Sequence, residues 1–367
     1  MTPMRGMFFW EGSGLQLGRA NPYGALLAAA LCRHGVELTE GDYRFTRSWL
    51  ERSRAACDVL HLNWLDRFYA RFDEPRDPDA ACERFAEFTE NVIHARRLGY
   101  RLIWTVHNLF PHERRYPHLD RLVNALVARE ADHVIAHCRF AADRIEALYD
   151  PPRPVRVIPH GNYLRIFPDT VTREQARARL AIGGAQFVYL FFGNARGYKG
   201  VADLIAAFRH AADADSVLAL VLRENARSPG LIPELRSLAA HDERIRIHSS
   251  RYFPADEFQY FLNAADVAVL PFTAVLTSGT AIQALGFGTP LIVPRLGCLP
   301  ELVAGGAGLL YDPAAEGALA GALAAARSLD LEAARRAALQ RTRELDWDPI
   351  AARIAALYRG DAAAGWP

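Results

Sequence analysis

Lysine is almost missing from this sequence: of 43 basic residues, 42 are arginine and only Lys199 is lysine. Cysteine is sparse too. The five, at 32, 57, 82, 138 and 298, contain no C-x-x-C pair, which excludes zinc-ribbon and redox-motif spacings and suits reduced thiols rather than a disulfide framework. No apolar run approaches the roughly 18 residues of a membrane-spanning helix. The first ten residues carry one arginine and too short an apolar stretch for a secretory leader. The expectation is a cytoplasmic chain, with peripheral contact to the cytoplasmic membrane face left open. Surplus charge is lacking as well. With 43 basic against 42 acidic residues the net charge is +1, which excludes a protein built to coat nucleic acid. Neither H-E-x-x-H nor a D-x-D cluster at a strand end appears, so no metal site is expected.

What is present is a long chain, 367 residues and 51% hydrophobic, enough for two domains. Short β-rich runs alternate with helical stretches. In the first half the strand candidates are 6–10, 58–63, 101–106, 133–137 and 155–159, with helices over 22–34, 81–98, 119–130 and 140–148 between them. The pattern loosens over 159–181 and restarts. New strand candidates lie at 187–192, 217–222, 244–248, 267–270 and 291–293, again with interleaved helices. Strand–helix alternation reads as a parallel α/β sheet, and its repetition predicts two Rossmann-like domains, 1–165 and 166–343. An amphipathic segment from 344 onward, with Trp347, Ile350, Ile354 and Leu357, is expected to pack back on the body of the protein. Ligands of such sheets bind beyond the carboxyl ends of the strands, and residues suited to chemistry cluster there.

The richest cluster is Phe192-Gly193-Asn194-Ala195-Arg196-Gly197-Tyr198-Lys199-Gly200, between a strand and a helix. Its glycines let backbone amides approach an anion, and a helix amino-terminus adds positive charge. Arg196 supplies a bidentate fork, Lys199 a compact point charge. A second cluster is Ser278-Gly279-Thr280, opening an apolar helix, with Gln283 one turn on. Ser278 suits a helix cap, whether or not a phosphate sits against the first turn. A third is His107-Asn108, with Glu113 nearby; His61, His137 and His160 follow three other strands, and Asn162 lies beside the last. Four post-strand histidines fit a polar, aromatic-walled cleft better than four unrelated core positions. Glu11, in the glycine-bearing loop after the first strand, is one more acid/base candidate. Cations alternate with aromatics over Arg44–Leu50, a pattern that serves either a membrane-surface patch or a solvated helix.

These residues resemble the GT-B fold glycosyltransferases of the large family-4-like group. The resemblance rests on the G-x-x-[RK]-x-x-K-G loop at 193–200, the strand ending Pro271-Phe272, the segment Gly286–Pro290 and the pair Pro300-Glu301. In the first half, 105–113 and 158–163 resemble bacterial exopolysaccharide β-mannosyltransferases that act on polyprenyl-diphosphate-linked intermediates. The resemblance implies two Rossmann-like domains facing across a cleft, the first binding acceptor and the second a nucleotide-sugar donor. It implies that Arg196, Lys199, Ser278, Gly279 and Thr280 hold the donor diphosphate. Tyr252, Phe253 and Gln283 would meet the nucleoside or the sugar, and Asn108, His160 and Asn162 would line the acceptor cleft. His107 would lie by the reacting sugar, with Glu11 and Glu113 as further acid/base candidates.

The chain departs from its relatives at one pair of positions. Many relatives carry two glutamates eight residues apart where Val275 and Gln283 stand here, which favours an inverting or divergent enzyme. The expected activity is metal-independent transfer of a hexose, of mannose or glucose type, to a glycan or lipid-linked saccharide hydroxyl, in polysaccharide biosynthesis. The donor serves as co-substrate and no cofactor is implied. A sugar-nucleotide epimerase of the same fold and a non-catalytic nucleotide-sugar-binding subunit remain alternatives.

Overall fold

The structure is a computed structural model that describes residues 3–10, 15, 21–111 and 114–361. It divides into two units, one comprising residues 1–161 and 346–367, the other 162–345. The sequence reading placed these divisions at 165 and 343.

Unit 1 holds a six-stranded sheet in the order β2-β1-β3-β4-β5-β6, every pairing parallel. Its strands are β1 (Met4–Phe8), β2 (Val36–Glu40), β3 (Val59–Leu62), β4 (Arg101–Val106), β5 (His133–Ala136) and β6 (Arg156–Val157). The connecting helices are α1 (Tyr23–Arg33), α2 (Arg47–Ser53), α3 (Pro78–Arg97), α4 (Pro117–Glu130) and α5 (Arg139–Tyr149). Every residue of β3 and β5 is buried, as expected for a sheet covered on both faces. Local signals start the helices: Asp77 caps α3 ahead of Pro78, and Thr46 caps α2.

Unit 2 repeats the plan in the order β12-β11-β10-β7-β8-β9, again all parallel. Helix α6 (Arg173–Arg179) leads into β7 (Phe187–Asn194), α7 (Val201–Ala211), β8 (Ser216–Arg223), α8 (Leu231–Ala239) and β9 (Ile245–Ser250). There follow α9 (Phe258–Ala264), β10 (Val267–Val269), α10 (Gly279–Gly286), β11 (Leu291–Pro294), α11 (Leu299–Leu302), β12 (Gly308–Tyr311), α12 (Ala318–Ala326) and α13 (Leu331–Glu344). The last helix, α14 (Trp347–Arg359), belongs to unit 1. Its Tyr358 hydroxyl meets His61 Nδ1 at 2.7 Å, and Arg101 donates to the Tyr358 carbonyl. No helix among the described residues is long and apolar enough to cross a membrane.

The aromatic–cation run near residue 45 does not form one surface. Phe45 and Leu50 are fully buried, with Phe45 packed against Phe9, Phe68 and Phe88. Arg44 pairs with Asp42, and Arg47 with Glu51. The aromatics serve the core, so this segment does not present the cation–aromatic face that a membrane-surface patch requires.

One buried carboxylate ties unit 2 together. Asp266, just before β10, takes Arg173 Nη2 at 2.6 Å and Arg177 Nη2 at 2.8 Å, and accepts from the Val188 amide in β7. Two guanidinium groups against one buried carboxylate fasten α6 to the sheet. Removing the carboxylate strands both cations. Asp266→Ala is therefore expected to destabilise unit 2 by about 3–5 kcal/mol, read as a clear drop in the thermal unfolding midpoint by circular dichroism. An unchanged midpoint would show the cluster to be incidental.

Candidate functional site

In both sheets the strand order reverses beside the first strand, between β1 and β3 in unit 1 and between β7 and β10 in unit 2. Chains leave such neighbouring strands in opposite directions and open a crevice at their carboxyl ends. The sequence clusters fall there.

In unit 1 the end of the sheet is a histidine–aromatic layer. His61, His107, His137 and His160 are all buried. His107 stacks on Trp64 with ring centroids 5.0 Å apart and meets Trp10 and Tyr23 edge-on. His160 lies against Tyr23 and His137. Burial, reinforced by the neighbouring rings, pushes the His61 and His160 imidazoles down to about 3 and His107 well below its ordinary value. Burial likewise brings His137 to about 4. The layer is neutral at neutral pH.

Hydrogen bonds assign the protons. The Ile158 carbonyl only accepts, so His137 Nδ1, at 2.9 Å, carries its proton. Asn63 Nδ2 donates to the Phe9 carbonyl at 3.0 Å, which turns its Oδ1 toward His107 Nε2 at 2.9 Å. That nitrogen is then protonated as well. His107 Nδ1 and His137 Nε2 lie 3.3 Å apart, longer than either flanking bond.

The expected acceptor residues do not form one group. Asn108 lines a cavity of about 30 Å³ with Trp64 and Trp104, whose indole nitrogens are buried without hydrogen-bond partners. His160 belongs to the histidine layer. Asn162 lies in unit 2, where its Nδ2 donates to the Thr342 carbonyl at 3.0 Å and its Oδ1 accepts from the Leu164 amide. Its amide fastens the backbone where the chain passes between units, which gives it a structural role. Glu11 and Glu113 lie outside the described residues.

In unit 2 the loop after β7 packs on the end of β10. The Thr273 amide donates to the Tyr198 carbonyl at 2.9 Å. Gly200 sits at φ 66°, and a Cβ there would lie 2.0 Å from the Pro271 carbonyl oxygen; only glycine fits. This close approach sets Lys199 Nζ 3.9 Å from the centre of the Phe272 ring. Burial, followed by repulsion from Arg196, brings the Lys199 ammonium down to about 7. Arg196 Nε is buried with no partner in the protein. From the β10 side, Ser278 Oγ caps α10 by accepting from the Ala281 amide at 3.2 Å. Thr280 Oγ1 lies 3.7 Å from where a Gly193 Cβ would stand, so the second cluster adjoins the first. A Cβ on Gly279 would lie 3.0 Å from the Tyr163 hydroxyl. Gln283 is buried, with its Nε2 unpartnered. Lys199 and Arg196 on the β7 loop and the adjoining amino-terminus of α10 are groups of a kind suited to an anion.

Tyr252 is 65% exposed on a turn fastened by Ser250 Oγ. Phe253 packs inward on Phe258 and Phe261 and anchors that turn, so of the two it is Tyr252 that is presented to solvent. Beside it the ends of β8 and β9 border a groove of about 760 Å³ lined by Glu224, Asn225, Arg236, Ser249 and Arg251. The sequence reading passed over Glu224 and Arg236, although Glu224 directly follows a strand. Among the described residues, no three His, Cys, Asp or Glu side chains converge as a metal-binding group.

Comparisons with known proteins agree with this division. Residues 42–162 match the model of Glycosyltransferase Family 4, and residues 186–327 match that of Glycosyl transferases group 1. The chain is 31% identical over 247 residues to D-inositol 3-phosphate glycosyltransferase 1 of Catenulispora acidiphila, covering 64% of this chain and 58% of that protein. It is 27% identical over 242 residues to the GDP-mannose:glycolipid 4-beta-D-mannosyltransferase of Xanthomonas campestris pv. campestris, covering 65% and 61%. It therefore spans less than two thirds of either relative. Among solved structures, sucrose-phosphate synthase from Thermosynechococcus elongatus superimposes with a TM-score of 0.75 at 19% identity, over 100% of both chains. Anabaena HepE in complex with UDP does so with a TM-score of 0.74 at 15% identity, over 98% of this chain and 100% of that one.

An anion beside Lys199 should restore its proton. With the free ammonium near 7 and the anion-bound one higher, binding takes up a proton above pH 7 and weakens as pH rises from there. Calorimetry of inorganic pyrophosphate binding at pH 8, in two buffers of different ionisation enthalpy, should show more proton uptake for the native protein than for Lys199→Arg, whose guanidinium stays charged. Equal uptake would refute the assignment.

Proposed function

The chain belongs to the family-4-like glycosyltransferases of the GT-B fold, and we propose that it transfers a hexose from a nucleoside-diphosphate sugar to a saccharide hydroxyl, free or lipid-linked. The observation that supports this reading is the cationic β7 loop of unit 2, where Lys199 and Arg196 lie close enough to repel and Gly193 adjoins Thr280 in the first turn of α10. As the bond between the anomeric carbon and the diphosphate breaks, negative charge accumulates on the leaving oxygen. Positive groups fixed at that point stabilise the transition state without reorganising, the part that a divalent metal would otherwise take. The acceptor oxygen bonds to the anomeric carbon and loses its proton to a base. The candidates for that base are His107, whose imidazole burial holds neutral, Glu11 and Glu113. With the neutral Gln283 and Val275 where many relatives carry carboxylates, we favour inversion at the anomeric carbon. The relatives named above are glycosyltransferases and not epimerases, which removes the support for the epimerase alternative.

The test is incubation of purified protein with radiolabelled nucleotide sugars and lipid-linked saccharide acceptors. Transfer of label to the acceptor is expected. Lys199→Ala should lower kcat/KM by about 10²–10³ with weakened donor binding. His107→Asn should lower kcat by at least about tenfold while leaving the donor dissociation constant within about twofold. Donor binding without transfer to any acceptor would instead favour a non-catalytic nucleotide-sugar-binding subunit.

A further inference from the structure

Lys199 carries the only side-chain amine of the chain, and its setting is unlike that of a surface lysine. Its Nζ lies 3.9 Å from the centre of the Phe272 ring and 5.2 Å from that of Tyr198. Among the described residues it forms no ion pair with a carboxylate, and the charge it feels is the repulsion of Arg196. The turn that holds both is closed by the Lys199 amide, which donates to the Arg196 carbonyl at 3.0 Å. Gly200 then locks the turn against Pro271. The two cations are kept together with no counter-charge of their own.

An amine in this position is a nucleophile as well as a charge. Burial and Arg196 bring its ammonium to about 7, so about half of it is free amine at neutral pH, where an ordinary lysine holds less than about one part in a thousand. The side chain is only partly buried, so a small electrophile can reach it. Beside it, the Arg196 fork and the adjoining amino-terminus of α10 suit a phosphate. A molecule that joins a phosphate to an electrophilic carbonyl would be held by the first group with the second near Nζ, and such proximity multiplies a rate. Acyl phosphates, the mixed anhydrides of a carboxylic acid and phosphoric acid, are that class of molecule.

We propose that acyl phosphates acylate Lys199 and that this modification switches the donor loop off. The Nζ lone pair forms a bond to the carbonyl carbon, the bond from that carbon to the phosphate oxygen breaks, and phosphate leaves with the electron pair. The proton lost from nitrogen passes to the departing phosphate or to water, and nothing is oxidised or reduced. The product is a neutral amide. The loop is left with Arg196 as its single cation, so its affinity for a diphosphate falls. This rests on the reading of the loop as the anion site of a nucleotide-sugar enzyme and adds a means of regulating it.

The experiment treats the full chain with acetyl phosphate near neutral pH and follows Lys199 by peptide mass spectrometry, with N-acetyl-lysine amide in the same tube as a model amine. Lys199 should react at least about a hundredfold faster than the model amine, and excess inorganic pyrophosphate should protect it. Arg196→Gln should slow acetyl phosphate about tenfold more than it slows p-nitrophenyl acetate, an acyl donor with no phosphate to hold. Calorimetry should show the acetylated protein binding pyrophosphate at least about tenfold more weakly than the native one. Reaction no faster than the model amine, no protection by pyrophosphate, or equal slowing of the two acyl donors would each overturn the proposal and leave the anion-site reading intact where native protein still binds pyrophosphate. Pyrophosphate affinity unchanged by acetylation, or no pyrophosphate binding at all, would overturn both.

Discussion

The reversal of strand order beside the first strand of each sheet is the constraint on which the rest depends. A parallel sheet buries both faces under helices, leaving its edges and strand ends as the places where polar chemistry can sit. Only at the reversal do two adjacent strand ends lose their crossing loops to opposite sides. Asn63 bonds to Phe9 at the reversal in unit 1, and the Lys199 loop packs on Pro271 and Phe272 at the reversal in unit 2. His107 and His137 follow the next two strands along the sheet, β4 and β5.

The two sites answer their burial in opposite ways. Unit 1 removes charge: four histidines withdrawn from water stay neutral, and their hydrogen bonds run to hydroxyls, carbonyls and one another. Unit 2 concentrates charge: burial and the neighbouring Arg196 lower the Lys199 ammonium to about 7, a cost that a bound anion would relieve.

Most of the architecture was legible in the sequence because buried parallel strands are short, apolar and β-branched. β4 falls on the expected residues, and ten of the twelve strands were found. The two that were missed, β2 and β12, are both edge strands. Val36–Glu40 carries two glutamates and is exposed along much of its length, and Gly308–Tyr311 has four residues beginning with glycine; neither shows the apolar run of a central strand. The unit 2 anion site was legible because glycine spacing and a lone lysine are local signals. The acceptor residues were less so: Asn162 follows His160 by two positions, yet its amide is committed to Thr342, which is 180 residues away. Glu224 was missed because a single carboxylate after a strand carries no pattern until Arg251 is seen beside it.

The return of α14 to unit 1 has a consequence for how the protein is made. Tyr358 closes on His61 from 297 residues further along the chain, and Trp347 fills the space that a side chain on Gly161 would occupy. Unit 2 is in effect an insertion within unit 1. During synthesis it can fold as soon as its own residues emerge. Unit 1 begins first and finishes last, its histidine layer lacking one wall until the final helix has left the ribosome.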